Sequence, residues 1–269
     1  LGGGLFLFQG AGCNVLALRG DNGALMIDGG LAANADALLQ AVKQRTGTSR
    51  IHTLINTHWH PEQTGSNQAF SEMGAEIIAH DNTKQWLSVD VEQRWSGAKY
   101  KALPEGARPK SVIYDTTEKV IGEQTLQLGY LLHAHTDGDL YVHLPAENIL
   151  FTGGFLTNDS WPIIDWWTGG WSGGMLNAFE RVMPLCNDAT VICPPSGALM
   201  TFAELKEQRE MYLAILQNVH TAFVKSLGPD ETAASKPAAS YKPEWGSADL
   251  FIKLAAQSLQ GHLRSGVGN

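Results

Sequence analysis

The sequence predicts an α/β fold in which two β-sheets pack face to face with helices on the outside. The chain has two strand-rich stretches, and each is followed by helical periodicity. Hydrophobic residues make up 43% of its 269 positions, enough for a sizeable core, and 29 glycines supply tight turns.

The first strands are Leu5-Phe6-Leu7-Phe8, Asn14-Val15-Leu16-Ala17-Leu18 and Ala24-Leu25-Met26-Ile27-Asp28, punctuated by Gly10, Gly12 and Asp21-Asn22-Gly23. Leu31, Ala35, Leu38, Leu39 and Val42 then recur at helical spacing and mark one helix face. A strand at Thr53-Leu54-Ile55 follows, then a helix over about 65–73 and a strand Glu76-Ile77-Ile78-Ala79. Residues 81–95 read as helix and 97–110 as a polar loop with two prolines. The second set of strands covers 111–114, 124–132, 140–144 and 148–151, before a helix at 175–184 and a strand at 190–193. Beyond that, Tyr212, Ile215, Leu216, Val219 and Phe223 share one face of a long helix, and Leu250, Phe251, Leu254 and Ala255 lie on a last one. The Pro-, Ala- and Ser-rich stretch 228–245 between them reads as a surface connection that leaves too little chain after it for another domain. The whole of 1–269 therefore reads as one domain, with 201–269 a helical extension packed on it.

A net charge of −8 with no cluster of Lys and Arg argues against a nucleic-acid surface. No apolar run approaches the roughly 20 residues that span a bilayer. The expected state is soluble, cytoplasmic or periplasmic, with the compartment open because a leader before Leu1-Gly2-Gly3-Gly4 is either removed or outside this chain. Cys13, Cys186 and Cys193 are an odd number without metal-site spacing and read as buried packing thiols, a Cys186–Cys193 bridge being the alternative.

The most informative stretch is Asn56-Thr57-His58-Trp59-His60-Pro61-Glu62-Gln63-Thr64-Gly65, at the exit of a short apolar strand. On an extended backbone residues two apart point the same way, so His58 and His60 can converge while Trp59 faces away. Convergent neutral imidazoles suit zinc. Taken with Leu25-Met26-Ile27-Asp28-Gly29, Ala134-His135-Thr136-Asp137-Gly138-Asp139, Leu150-Phe151-Thr152-Gly153 and Cys193-Pro194-Pro195-Ser196-Gly197, the order of motifs resembles the metallo-β-lactamase superfamily over roughly residues 5–200. The resemblance implies a four-layer αββα sandwich with a site at one edge between the sheets. It also implies that His58, His60 and His135 hold the first metal. Three histidines and one open position make a catalytic zinc arrangement, in which bound water acquires a pKa near 7.

The second metal subsite departs from the family at four positions: Glu62, Gln63, Gly154 and Ser196 stand where it places Asp, His, a bridging Asp and His. Two dications about 3.5 Å apart repel by roughly 19 kcal/mol at an effective dielectric near 20, and bridging anions must offset that. Gly154, Gln63 and Ser196 offer none. The expectation is one zinc ion or none, and Gln63→His, Gly154→Asp and Ser196→His together are expected to raise metal content. Glu62 and Asp139 are the candidate general bases, Asp139 having orientation of His135 or a loop amide as its other reading. The resemblance gives Asp28 a structural place near the site.

Four tryptophans stand in the eleven residues 161–171. Trp161, Trp166, Trp167 and Trp171, with Trp59, are candidates for an apolar substrate wall or lid; a packed loop or a homo-oligomer contact is the other reading. Two functions stay open. One is a mononuclear zinc hydrolase acting weakly on an ester, thioester, lactone or amide of apolar character. The other is a metal-poor binding or regulatory protein of the same fold. In either case the partner is a small molecule, with neither nucleic acid nor membrane.

Overall fold

A computed structural model describes residues 1–121 and 124–266. The first sheet contains β1 (Leu5–Phe8), β2 (Val15–Gly20), β3 (Gly23–Ile27), β4 (Ile51–Ile55), β5 (Glu76–His80) and β8 (Ser111–Ile113), hydrogen-bonded in that order. Its first three strands are an antiparallel meander and the rest join in parallel. The second sheet has the order β13 (Val191–Cys193), β12 (Ile149–Phe151), β11 (Asp139–Leu144), β10 (Gln124–Leu131) and β9 (Thr117–Ile121). Only its β12–β13 pair is parallel.

The period of two along the strands sorts side chains between layers. Leu16, Leu18, Leu25 and Ile27 meet Leu126, Leu128, Leu140 and Val142 between the sheets. The alternate residues Val15, Ala17, Ala24 and Met26 face outward against Leu38 and Val42 of α1 (Ala35–Thr46) and Phe70 of α3 (Asn67–Glu72). On the far side, Tyr141 and Leu150 pack beneath Phe179 of α5 (Ser172–Val182), Tyr212 of α6 (Phe202–Val224) and Phe251 of α8 (Asp249–Gly266). The layers are therefore helix, sheet, sheet, helix. Residues of the 201–269 stretch supply part of the outer helical layer.

Several local expectations need correction. The helix expected over 65–73 begins earlier and breaks in two, because Pro61 starts α2 (Pro61–Thr64) at a position that needs no N–H donor. The helix expected to 95 stops after α4 (Asp81–Trp86). Asp90 accepts hydrogen bonds from the Ala102 N–H and the Lys101 ammonium, and draws the chain into a small hairpin of β6 (Val91–Glu92) and β7 (Lys99–Tyr100). β9 escaped notice because an edge strand exposing Glu118 and Val120 lacks an apolar run. The 228–245 connection contains α7 (Pro229–Ala234), begun by Glu231 accepting from the Gly228 N–H. All three cysteines are free thiols, so the bridge alternative falls.

Candidate metal centre

The site forms where the ends of the two sheets meet. Chain leaving β4 carries His58 and His60, and the turn between β10 and β11 carries His135. Thr57 O accepts the Leu140 N–H at 2.8 Å and ties these two segments together. Ring centroids lie 4.9 Å apart for His58–His60 and 4.6 Å for His135 with each of the others. The donor atoms of the three rings lie within 4.8 Å of one another, and among the described residues this is the one set of three such groups.

Each ring is anchored through its outer nitrogen. His135 Nδ1–H donates to Ile163 O at 2.7 Å. His60 Nε2–H donates to Asp165 Oδ2 at 3.2 Å. The Thr57 hydroxyl donates to Asp28 Oδ2 at 2.9 Å and so accepts from His58 Nδ1–H at 3.0 Å. These assignments leave His58 Nε2, His60 Nδ1 and His135 Nε2 without hydrogens and facing inward. His60 Nδ1 and His135 Nε2 then stand 3.0 Å apart with lone pairs turned on one another. Such a contact lacks a hydrogen to share and is relieved by a cation between the rings. The donor set thus fits a zinc ion. Burial, reinforced by the neighbouring rings, holds His58 well below the usual histidine range and His135 down to about 3, which keeps their nitrogens unprotonated at neutral pH.

The sequence-predicted acids occupy different places. Asp28, in the left-handed region at φ 61°, ends β3 and accepts from the Thr57 N–H at 2.8 Å as well as from the hydroxyl. Burial outweighs those bonds and pushes its carboxyl up to about 8. Asp139 is fully buried, accepting from the Thr136 N–H and hydroxyl at 2.9 and 2.8 Å and from the His135 N–H. Burial raises it to about 7 against those bonds. It stands behind the His135 turn and outside the cleft lining, a placement that corrects its candidacy as a general base. Glu62, half-buried on α2, lines the cleft but does not join the three-histidine set.

All four second-subsite positions border one cleft of about 220 Å³. Gln63 is buried, and its Oε1 lacks a hydrogen-bond partner among the described residues. Ser196 Oγ donates to Asp159 Oδ1 at 2.8 Å. A Cβ at position 154 would lie 2.2 Å from His135 Cδ2, so the ring already fills the space a side chain there would need. In the triple change Gln63→His, Gly154→Asp and Ser196→His, expected to raise metal content, the Gly154→Asp member therefore meets the His135 ring.

Of the five tryptophans, only Trp161 lines the cleft. Trp59 is buried and donates to Thr168 Oγ1, Trp166 donates to Gln257 of α8, and Trp167 lies 4.1 Å from the Arg94 guanidinium. Trp171 borders a separate outer groove with Leu176 and Leu216. Lining residues outside the predicted set include Cys13, Gln93 and Trp95, the last two delivered by the unanticipated hairpin. Asp165 was missed as well. Its signal was a lone carboxylate inside a tryptophan-rich run.

A family model described as metallo-beta-lactamase superfamily matches residues 9–207. The 2,4-dinitroanisole O-demethylase subunit alpha of Nocardioides sp. (strain JS1661) is 23% identical over 144 residues, covering 51% of this chain and 39% of that one. A stereoselective inverting sec-alkylsulfatase from Pseudomonas sp. superposes with a TM-score of 0.73 at 15% identity, over 97% of this chain and 50% of its own. A metallo-beta-lactamase family protein from Thermus thermophilus gives 0.71 at 16% identity over 98% and 94%. The chain therefore spans half the length of the sulfatase and less of the demethylase subunit. No helix among the described residues is long and apolar enough to cross a membrane.

Proposed function

The chain belongs to the metallo-beta-lactamase superfamily, and from that premise we propose a mononuclear zinc hydrolase acting on a small ester, thioester, lactone or amide of apolar character. The observation that carries this reading is the convergence of three bare imidazole nitrogens, each ring anchored from behind. His58, His60 and His135 would hold the ion. Zinc bound by three neutral imidazoles supplies Lewis acidity and brings the pKa of water near 7. A second ion lacks its anions, since among the described residues Glu62 is the only carboxylate on the cleft wall.

The chain's own residues define what the cleft accepts. At about 220 Å³ it falls below the roughly 300–1,000 Å³ typical of sites for drug-sized ligands, which favours a small substrate. Trp95, Trp161, Pro162 and Ile163 offer an apolar wall, and Gln63 Oε1 offers a buried acceptor for a substrate N–H or O–H. Among the described residues neither Lys nor Arg lines it. A sulfate ester, the substrate class named by the sulfatase relative, would meet Glu62 with no Lys or Arg beside it, so the likeness to that enzyme supports the architecture and not its substrate. Glu62, on the cleft wall, is the group we assign to take a proton from a nucleophile there.

Metal analysis of chain purified without chelator tests the reading, together with hydrolysis of a panel of neutral aryl esters, thioesters and lactones. About one zinc per chain and loss of hydrolysis in His58→Ala are expected. Two zinc ions, or ester hydrolysis indifferent to His58→Ala, would overturn it. A metal-free chain without hydrolysis would favour the binding-protein alternative.

A further inference from the structure

We propose that Asp165 is a positioning residue for His60, placing behind that ring a negative charge that Gly154 does not bring to the cage. The inference rests on the zinc reading above.

Asp165 is only 2% exposed. Its Oδ2 accepts from His60 Nε2–H at 3.2 Å and from the Thr168 hydroxyl at 2.6 Å, and its Oδ1 faces the Thr168 N–H at 3.4 Å. Thr168 Oγ1 in turn accepts from the Trp59 indole at 3.1 Å, so that partner of the carboxylate is itself fixed. Among the described residues its only ion-pair partner is His60. Burial costs the carboxylate, and the bonds from His60 and Thr168 offset that cost. A dication held by the same ring would make its Nε2–H a stronger donor to Asp165 and would add a full positive charge opposite the carboxylate.

The loop that presents Asp165 also fixes a second ring. Asp165 N–H donates to His135 O at 2.9 Å, and Ile163 O takes the His135 Nδ1–H at 2.7 Å. The tryptophan-rich segment thereby buttresses two of the three histidines from one piece of backbone. Its own contacts secure that backbone: Trp166 reaches Gln257 on α8, and Gly170 N–H returns to Asp165 O at 2.8 Å.

The test uses the full chain and zinc alone, with Asp165→Asn as the variant, because an amide keeps the shape and an acceptor for His60 while removing the charge. Zinc affinity is measured by competition with a chromophoric chelator, and melting temperature with and without zinc. A roughly 10- to 100-fold weaker zinc affinity is expected, with the melting temperature lowered more in the presence of zinc than in its absence. A merely structural role lowers both melting temperatures alike and leaves the affinity of the folded chain unchanged, and would overturn the inference. Should Asp165→Asn not fold, Thr168→Val decides. It loosens the carboxylate without removing it, so weakened zinc affinity supports the inference and wild-type affinity refutes it. A wild-type chain that binds no zinc would remove the zinc reading itself, and the inference with it.

Discussion

Gly154 offers a sharp test of how the histidine cage is built. Its backbone is not among the left-handed glycines, so an L-residue could adopt the conformation, and only the neighbouring ring excludes a side chain. A Cβ there would lie 2.2 Å from His135 Cδ2, 2.7 Å from Cγ and 3.0 Å from Nε2. Non-bonded carbons rest about 3.5–4.0 Å apart, so the ring must retreat by more than about 1 Å. It has little freedom to do so, with Nδ1 bonded to Ile163 O and the His58 and His60 rings 4.6 Å away centroid to centroid. Gly154→Ala should therefore cost about 1–3 kcal/mol in overpacking, and about 1 kcal/mol more if the Ile163 bond is lost. At about 2–4 °C per kcal/mol for a chain of this size, the metal-free melting temperature falls by about 2–12 °C, and by up to about 16 °C if that bond is lost. Zinc affinity falls further in proportion, by more than about 100-fold, because a ligand is displaced and not merely unsupported. Gly154→Asp, although it installs the family's carboxylate, should also bind less zinc than the wild type. Differential scanning fluorimetry and chelator competition measure both quantities. Wild-type melting and zinc affinity in Gly154→Ala, or a gain of zinc in Gly154→Asp, would refute the steric argument.

Two further outcomes follow from the placement of the acids and bases. Glu62→Gln should lower hydrolysis by about 10²–10⁴-fold without changing zinc content, whereas Asp139→Asn should act through the His135 turn and lower zinc content itself; metal analysis beside initial rates separates the two. For the metal-free chain, His58 and His135 have folded pKa values below the unfolded one, so they withdraw stability as pH falls below about 6.5, at about 1.4 kcal/mol per pH unit each. Asp28 and Asp139 are raised to about 8 and 7 and act oppositely, so stability falls as pH rises from their unfolded range near 4 towards those values. The two effects offset between about pH 4 and 6.5, and denaturant unfolding across pH should show a plateau there with stability falling on both sides; a maximum at pH 8 would contradict it.

The layer order and the convergence of His58 with His60 were legible because each depends on local chemistry, whereas His135 entered through the family resemblance. Period-two alternation in Val15–Leu18 and Ala24–Ile27 states which side chains share a face, and the i,i+2 spacing of His58 and His60 states that two imidazoles can converge. Contacts made across great sequence distance were not legible. Asp165 meets His60 across 105 residues, and Trp59 meets Thr168 across 109. Composition likewise marked the tryptophan-rich segment as unusual without saying which rings face the cleft. Their directions are set by α8, by Arg94 and by the outer groove beside α5. The missing side chain at 154 read as a lost anion. The geometry adds that it is also a space occupied by His135.

Each histidine of the cage has its own buried aspartate, and the three are coupled to it in different ways. Asp165 touches its ring directly, Asp28 acts through the Thr57 hydroxyl, and Asp139 acts through the His135 amide. Where the carboxylate meets an imidazole, that contact and the Thr168 hydroxyl overcome a burial that by itself raises the acid, and Asp165 ends below the usual carboxylate range. Asp28 and Asp139, bonded to amides and hydroxyls, end above it. A proton on Asp28 would turn it into a donor to Thr57 Oγ1, reverse that hydroxyl towards His58 Nδ1, and move the ring's hydrogen to Nε2, where a metal must bind. A cation in the cage therefore favours ionised Asp28 by the same linkage through which ionised Asp28 favours the cation. The Thr57 hydroxyl, one residue before the first histidine, is what lets a carboxylate outside the cage govern which nitrogen faces into it.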